Sequence, residues 1–170
     1  SDNMVLQHGE VLTIQGKADA GQKVTVAIAG QKKKTVAASN GKWRVSLDPL
    51  KAGGPYTLTV TADKQKVVYN NVLAGEVWLC SGQSNMEFYL NWSATGKRDI
   101  PQAANDQIRL FDMKARWRTD AVEWDASVLD SLNHLQYFTD ASWKVCAPET
   151  ADRFSAIAYY FGKKLQDSLQ

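Results

Sequence analysis

The fold is decided by the stretch GEVWLCSGQSNM, residues 75–86, where two kinds of sequence pattern meet. Its first half contains the run VWLC, residues 77–80, which is continuously apolar, as in strands that are covered on both faces. A short polar turn follows, with Ser84 near its centre. We therefore predict a buried strand over residues 76–80 that ends in a turn carrying a serine.

Before this stretch, the chain has the alternating pattern of half-buried strands. Apolar residues occupy every second position in runs that begin at Val24, Trp43 and Tyr56. Turn-forming segments, such as Ser39-Asn40-Gly41, separate these runs. We predict a small antiparallel β-sandwich over residues 1–73.

After the stretch, the pattern is typical of a layered α/β domain. A second apolar run at residues 108–111 predicts another strand, and apolar residues at helical spacing from Phe154 to Leu165 predict a helix over residues 154–169. A parallel sheet usually has several strands, and only two are predicted here. We therefore expect residues 74–170 to be the N-terminal part of an α/β hydrolase domain, with the remainder outside this chain.

The charge balance gives no sign of a polyanionic partner. The 170 residues include 20 Lys and Arg and 18 Asp and Glu, a net charge of +2, which gives no electrostatic reason to expect nucleic acid or an anionic membrane.

The chain begins at Ser1 rather than Met, so we expect that a segment such as a signal peptide precedes it and that the protein is secreted or periplasmic. His8 and His134 lie far apart, and we predict no metal site. Pairing of Cys80 with Cys146 stays open.

Ser84 has both a structural and a catalytic interpretation. A serine on a tight turn after the carboxyl end of a buried strand lies where α/β sheets carry their active sites. Position 86 is Met, so the segment is not the Gly-x-Ser-x-Gly turn of many α/β hydrolases. Serine and asparagine are also common in turns and helix caps. The spacing alone leaves both interpretations open.

The longer string from Gly75 to Phe88 resembles the nucleophile block of the sialate O-acetylesterase family, which are SGNH-type hydrolases with a flavodoxin-like α/β core. Similar segments occur in the same order before and after it, namely NMVLQ (residues 3–7), AGGPY (52–56) and FSA (154–156). The resemblance implies a carbohydrate O-acetylesterase without a cofactor, with Ser84 as nucleophile and Gln83 and Asn85 as candidates for contacting the substrate. The implied substrate is O-acetylated sialic acid, with acetylated xylan as an alternative.

The general base is not identified in this sequence. The family completes its site with an Asp-x-x-His arrangement, whereas Ser131 stands three residues before His134 and Val5 three residues before His8. We expect both histidines to be surface or packing residues, and a C-terminal polypeptide outside this chain to supply the Asp and the His. A serine without a base is a weak nucleophile. The alternative is therefore a non-catalytic β-sandwich fragment that binds glycans or has a structural role.

Overall fold

The computed structural model describes residues 1–117, 123–134 and 136–169. Within these ranges the strands are β1 (Val5–Gln7), β2 (Leu12–Lys17), β3 (Lys23–Ile28), β4 (Gln31–Val36), β5 (Lys42–Leu47), β6 (Gly53–Ala62), β7 (Gln65–Gly75), β8 (Asn105–Leu110) and β9 (Lys144–Cys146). The α-helices in the same ranges are α1 (Gly96–Asp99), α2 (Ala126–Asn133), α3 (Pro148–Ala151) and α4 (Ala156–Leu169).

The first seven strands form two sheets that share one hydrophobic core. β1, β7, β6, β3 and β4 lie side by side in that order, and β2 pairs separately with β5. The alternating residues of β3 and β5 point into the core, where Val24, Val26 and Leu47 are almost completely buried. Burial of each such side chain contributes about 1.5–3 kcal/mol relative to exposure. The strands predicted at the three alternating runs are confirmed.

The five-stranded sheet is mixed rather than purely antiparallel, which corrects the predicted pairing. β7 is antiparallel to β6 on one side but parallel to β1 on the other. The amide of Leu73 donates to the carbonyl of Met4, and the amide of His8 donates to the carbonyl of Gly75. The short N-terminal strand therefore satisfies the outer edge of β7, up to the point where the nucleophile stretch begins.

The predicted buried strand at residues 76–80 is not formed. The segment has no strand partner among the described residues, and its side chains are exposed, with Trp78 at 58% and Leu79 at 88%. A strand that is apolar on both faces needs neighbouring strands and covering helices. Here, the indole of Trp78 has one ring contact, an edge-on approach to Phe161 with ring centroids 5.3 Å apart.

The second half has its own small core. β8 pairs with β9, but the pairing is antiparallel, so the parallel sheet expected for this half is not observed in the described residues. The strand predicted at residues 108–111 corresponds to β8, and the helix predicted at residues 154–169 is confirmed as α4, which begins two residues later. Ala156 and Tyr159 of α4 pack in this core with Leu90, Leu110 and Cys146.

One face of α4 is only partly covered. Ile157 is 50% exposed and Phe161 is 42% exposed, although both belong to the apolar stripe that predicted the helix. The two cores comprise residues 12–74 and 90–159, and the domain boundary between residues 73 and 74 stays a prediction. None of the described helices has the length and apolar character required to cross a membrane.

Candidate active site

An open cleft of about 1310 Å³ lies beside the segment that follows β7. Its walls come from residues 76–84, from β8 and the residues after it, and from α4. Ser84 and Gln83 line this cleft, whereas Asn85, the third predicted site residue, is exposed outside its lining. The structure therefore places two of the three predicted residues against a space that could hold a ligand.

Ser84 begins a short 3-10 helix, Ser84–Glu87. The amide of Met86 donates to the carbonyl of Gln83 at 2.9 Å, which closes the turn. A Cβ at Gly82 would lie 2.9 Å from Cγ of Met86, so glycine suits the tight approach. The Ser84 hydroxyl is exposed and makes no hydrogen bond within the described part of the chain. The hydroxyl oxygen is therefore accessible to a ligand in the cleft.

The segment after the serine is fixed by backbone hydrogen bonds to the residues that precede α4. The amide of Leu90 donates to the carbonyl of Phe154 at 2.9 Å, and the amide of Ala156 donates to the carbonyl of Phe88 at 2.9 Å. The amide of Asn91 also donates to the carbonyl of Asp152 at 3.0 Å. This anchor, residues 88–91 against residues 152–156, holds the end of the serine turn against the second core.

Gly96 allows the chain to turn closely beneath this anchor. A Cβ on Gly96 would overlap the carbonyl group of Leu90 and would lie 3.2 Å from Cα of Asn91. These are backbone atoms, so a side-chain rotation cannot relieve the contact. Glycine is therefore required at this position by close packing.

The Gly96→Ala substitution is expected to destabilise the protein by about 1–3 kcal/mol, because the added methyl group overlaps buried backbone. Urea unfolding measures this free energy. Lys97→Ala, at the adjacent exposed position of α1, is the matched control and should change it by less than about 0.5 kcal/mol. Equal effects of the two substitutions would contradict the packing described for Gly96.

His8 lies in the cleft lining and is paired with a carboxylate. Its Nε2 is 2.7 Å from Oε1 of Glu76, and both side chains are about one-third exposed. The side chain of Gln7 accepts a hydrogen bond from the amide of Val77 at 2.9 Å. These two contacts fix the chain directly after β7, and the sequence pattern did not predict the His8–Glu76 pair.

His134 lies at the end of α2, outside the cleft lining. Its Nδ1 is 2.8 Å from the carbonyl oxygen of Asp130 and 3.6 Å from that residue's carboxylate. This pairing was missed from the sequence, although Asp130 stands four residues before His134. The exposed position of His134 agrees with the expected surface role.

The two cysteines are free and lie in different environments. Cys146 is buried, its Sγ is 3.1 Å from the carbonyl oxygen of Ala103, and burial raises the pKa of its thiol. Cys80 is exposed, which corrects the expectation that it is buried, because residues 76–80 do not join a sheet. Among the described residues, no cluster of three His, Cys, Asp or Glu side chains could hold a metal ion.

A polar network ties α1 to α4 behind the anchor. The Tyr160 hydroxyl donates to Oδ2 of Asp99 at 2.7 Å, and Nε of Arg98 lies 2.7 Å from Oδ1 of the same carboxylate. Thr95 Oγ1 is 2.5 Å from the Tyr160 hydroxyl. Hydrogen bonds from Arg98 and then Tyr160 hold the pKa of Asp99 well below its usual range. The ionised carboxylate is thus the favoured form in the folded state.

This network predicts a pH-dependent effect of Tyr160→Phe. Because the pKa of Asp99 is lower in the folded state, its contribution to stability is full above the unfolded-state pKa of about 3.9 and is lost as pH falls from there through the folded-state pKa. The substitution should lower the free energy of unfolding at pH 7, and the difference from wild type should shrink only at strongly acidic pH, where Asp99 becomes protonated in the folded state. Urea unfolding at pH 7 and through the strongly acidic range measures it. Tyr69→Phe on β7 is the control, and a difference independent of pH would contradict the assignment.

Aromatic and cationic side chains meet at Tyr89, five residues after Ser84. Lys114 Nζ lies 4.7 Å from the centre of the Tyr89 ring, and the guanidinium carbon of Arg153 lies 5.2 Å from it. All three residues line the cleft. Burial acts to lower the pKa of Lys114, but its interactions with Asp112 and Tyr89 together outweigh that effect, so the pKa is raised. No local sequence pattern identifies these three residues as a group.

Comparisons with known proteins show what the whole chain is similar to. No family model matches the chain. A crystal structure of a carbohydrate acetylesterase from Xanthomonas citri superimposes with a TM-score of 0.84 and 31% identity, over 99% of this chain and 36% of that one. Sialate O-acetylesterase from Homo sapiens is 30% identical over 100% of this chain, and the enzyme from Rattus norvegicus is 32% identical over 92%.

The similarity of fold and sequence thus places the chain among proteins related to carbohydrate acetylesterases. More narrowly, it belongs to the sialate O-acetylesterase family. The chain spans 34% of the length of the human relative and 30% of the rat relative.

Proposed function

We propose that this chain carries the nucleophile of a carbohydrate O-acetylesterase, and that Ser84 is that nucleophile. The observation that supports it is the exposed Ser84, which lies on a tight turn in a cleft and makes no hydrogen bond within the described residues, in a chain related to sialate O-acetylesterases along its length. We further propose that residues 74–170 are the N-terminal part of an SGNH-type α/β hydrolase domain and that residues 1–73 form a β-sandwich domain.

The proposed reaction is a two-step acyl transfer. Ser84 Oγ attacks the carbonyl carbon of the acetyl ester, and a general base takes the hydroxyl proton. The tetrahedral intermediate collapses, the bond to the sugar oxygen breaks, and the sugar alcohol leaves with that proton. Water then attacks the acetyl-serine, which releases acetate and restores the serine. These steps require no metal or organic cofactor.

The base is proposed to come from further polypeptide outside this chain, which would supply an Asp and a His. His8 lines the cleft, but its Nε2 is engaged with Glu76. The exposed side chains of Trp78 and Leu79, together with Phe161 of α4, form an apolar surface in the wall of the cleft. Additional strands packed on that surface would cover it and bring the base to the serine.

The substrate is proposed to be an O-acetylated sialic acid, with acetylated xylan as the alternative. Acetate release by the full-length protein from O-acetylated N-acetylneuraminic acid and from acetylated xylan tests this choice directly. Preferential release from the first compound is expected. Binding of both glycans without acetate release would favour a glycan-binding module instead.

A secreted or periplasmic location is also part of the proposal, because such an enzyme acts on glycans outside the cytoplasm. Fractionation of the source cells tests it. The protein should appear in the medium or the periplasmic fraction, and confinement to the cytoplasmic fraction would contradict it.

A further inference from the structure

We propose that Tyr89, Lys114 and Arg153 form a subsite that binds the carboxylate of an acidic sugar, next to Ser84 in the same cleft. This inference rests on the proposed function, because it assigns the part of the site that selects the substrate. We call these three side chains the Tyr89 subsite. Its basis is the placement of two cations around one ring in the wall of the cleft.

The backbone holds the Tyr89 subsite in place. Tyr89 is within the anchor between residues 88–91 and 152–156, and it forms an isolated antiparallel bridge with Ser155. The ring of Trp92 lies against the Tyr89 ring, with centroids 4.4 Å apart. Arg153 belongs to the facing segment of the same anchor. The backbone segments that carry Tyr89 and Arg153 are therefore held next to each other at the end of the serine turn.

The cations of this subsite are not fully neutralised. Lys114 is paired with Asp112, Nζ to Oδ2 at 3.2 Å, and its Nζ also lies 3.5 Å from the Tyr89 hydroxyl. Arg153 is exposed and has no carboxylate partner in the part of the chain that the structure describes. Two cations and one carboxylate leave an excess positive charge at the ring. Arginine also presents a planar fork that matches a carboxylate.

The other charges of the cleft limit where an anion can bind. Glu76 is paired with His8 at 2.7 Å, at the end of the cleft next to β7. Arg109 uses its guanidinium on backbone carbonyls and on Oδ1 of Asn71, so it is a structural cation. Glu87 is exposed in the cleft wall and makes no ion pair within the described residues. A ligand carboxylate should therefore bind at Arg153 and be repelled by Glu87.

This arrangement explains how a hydrolase of acetyl esters could prefer acidic sugars. The acetyl group is bound at Ser84, and the sugar ring extends along the cleft toward Tyr89. A carboxylate at Arg153 then gains a charge-assisted hydrogen bond that a neutral sugar cannot form. The chemistry does not distinguish a sialic acid from a uronic acid, so the experiment includes both.

Binding is measured by calorimetry on the full-length protein, with N-acetylneuraminic acid, its methyl ester, and glucuronic acid as probes. We expect the free acid to bind about tenfold more tightly than the methyl ester, as one charge-assisted hydrogen bond predicts. Arg153→Gln should remove this preference, Lys114→Gln should reduce it, and Glu87→Gln should increase it. Arg44→Gln, an equal change of charge on the distant β5, should leave it unchanged.

Several outcomes separate this proposal from the proposed function. The Tyr89 subsite would be overturned if N-acetylneuraminic acid bound no more tightly than its methyl ester. It would also be overturned if that preference for the free acid persisted in Arg153→Gln. Hydrolysis of 4-nitrophenyl acetate measured on the same variants reports the serine chemistry separately and should be unaffected by Arg44→Gln. A preserved carboxylate preference in a protein with no hydrolysis would contradict only the esterase. Tighter binding of glucuronic acid than of N-acetylneuraminic acid would assign the subsite to uronic acids.

Discussion

Ser84→Ala is expected to lower kcat for acetyl-ester hydrolysis by the full-length protein by at least roughly three orders of magnitude, as in other serine hydrolases that lose their nucleophile. The substitution removes the only atom proposed to form a bond to the acetyl carbon. The fold should be unaffected, because the Ser84 side chain is exposed and makes no hydrogen bond within the described residues. Steady-state kinetics and urea unfolding of the same variant measure the two effects separately.

Ser81→Ala is the matched control for this prediction. Ser81 is also exposed and lines the same cleft, three residues before Ser84. Its loss should change kcat by less than about tenfold, because no chemical step is assigned to it. A kcat that survives in Ser84→Ala but disappears in Ser81→Ala would move the nucleophile to the other serine.

Leu90→Ala is expected to destabilise the protein by about 2–5 kcal/mol, the range for a buried leucine whose loss leaves a cavity. Leu90 is 0% exposed and packs in the second core with Ala151, Ala156 and Tyr159. Its amide belongs to the anchor that holds residues 88–91 against residues 152–156. Loss of packing here should therefore loosen the segment that carries both the serine turn and Tyr89.

Urea unfolding gives the stability change, and kinetics at a temperature where the variant stays folded gives the effect on kcat. Leu129→Ala on α2 is the control, because Leu129 is 47% exposed and contributes little buried area. It should change the free energy of unfolding by less than about 1 kcal/mol. A Leu90→Ala protein as stable as wild type would contradict the packing of the second core.

The strands of the first half could be predicted because each buries one face against the same core. Val24 and Val26 alternate with residues of β3 that face away, and this local pattern is sufficient to identify the strand. The position of β1 could not be predicted, since pairing with β7 joins residues nearly seventy positions apart. A three-residue strand carries no periodic signal of its own.

The prediction of a buried strand at residues 76–80 is wrong for a different reason. The apolar run has the composition of a buried strand, but a strand also needs hydrogen-bonding neighbours. Among the described residues, neither β8 nor any other strand pairs with it, so Leu79 remains largely exposed. The sequence pattern therefore identified a segment able to pack on both faces, without identifying what packs against it.

Only part of the candidate site could be predicted from the sequence. Ser84 and Gln83 follow the apolar run directly, so their proximity to the cleft could be expected. Tyr89, Lys114 and Arg153 are far apart in the chain and belong to no motif, and only the folded anchor brings them together. Charge clusters of this kind depend on tertiary contacts and leave no local signal in one sequence.

Ser84 is proposed to be an activated nucleophile in the full-length protein. A fluorophosphonate probe reacts with activated serines, and peptide mass spectrometry of the treated protein reports the position that is modified. We expect a single adduct on Ser84, absent from Ser84→Ala and present in Ser81→Ala. An adduct on another serine, or acetate release from a protein that forms no adduct at Ser84, would show that Ser84 is not the nucleophile.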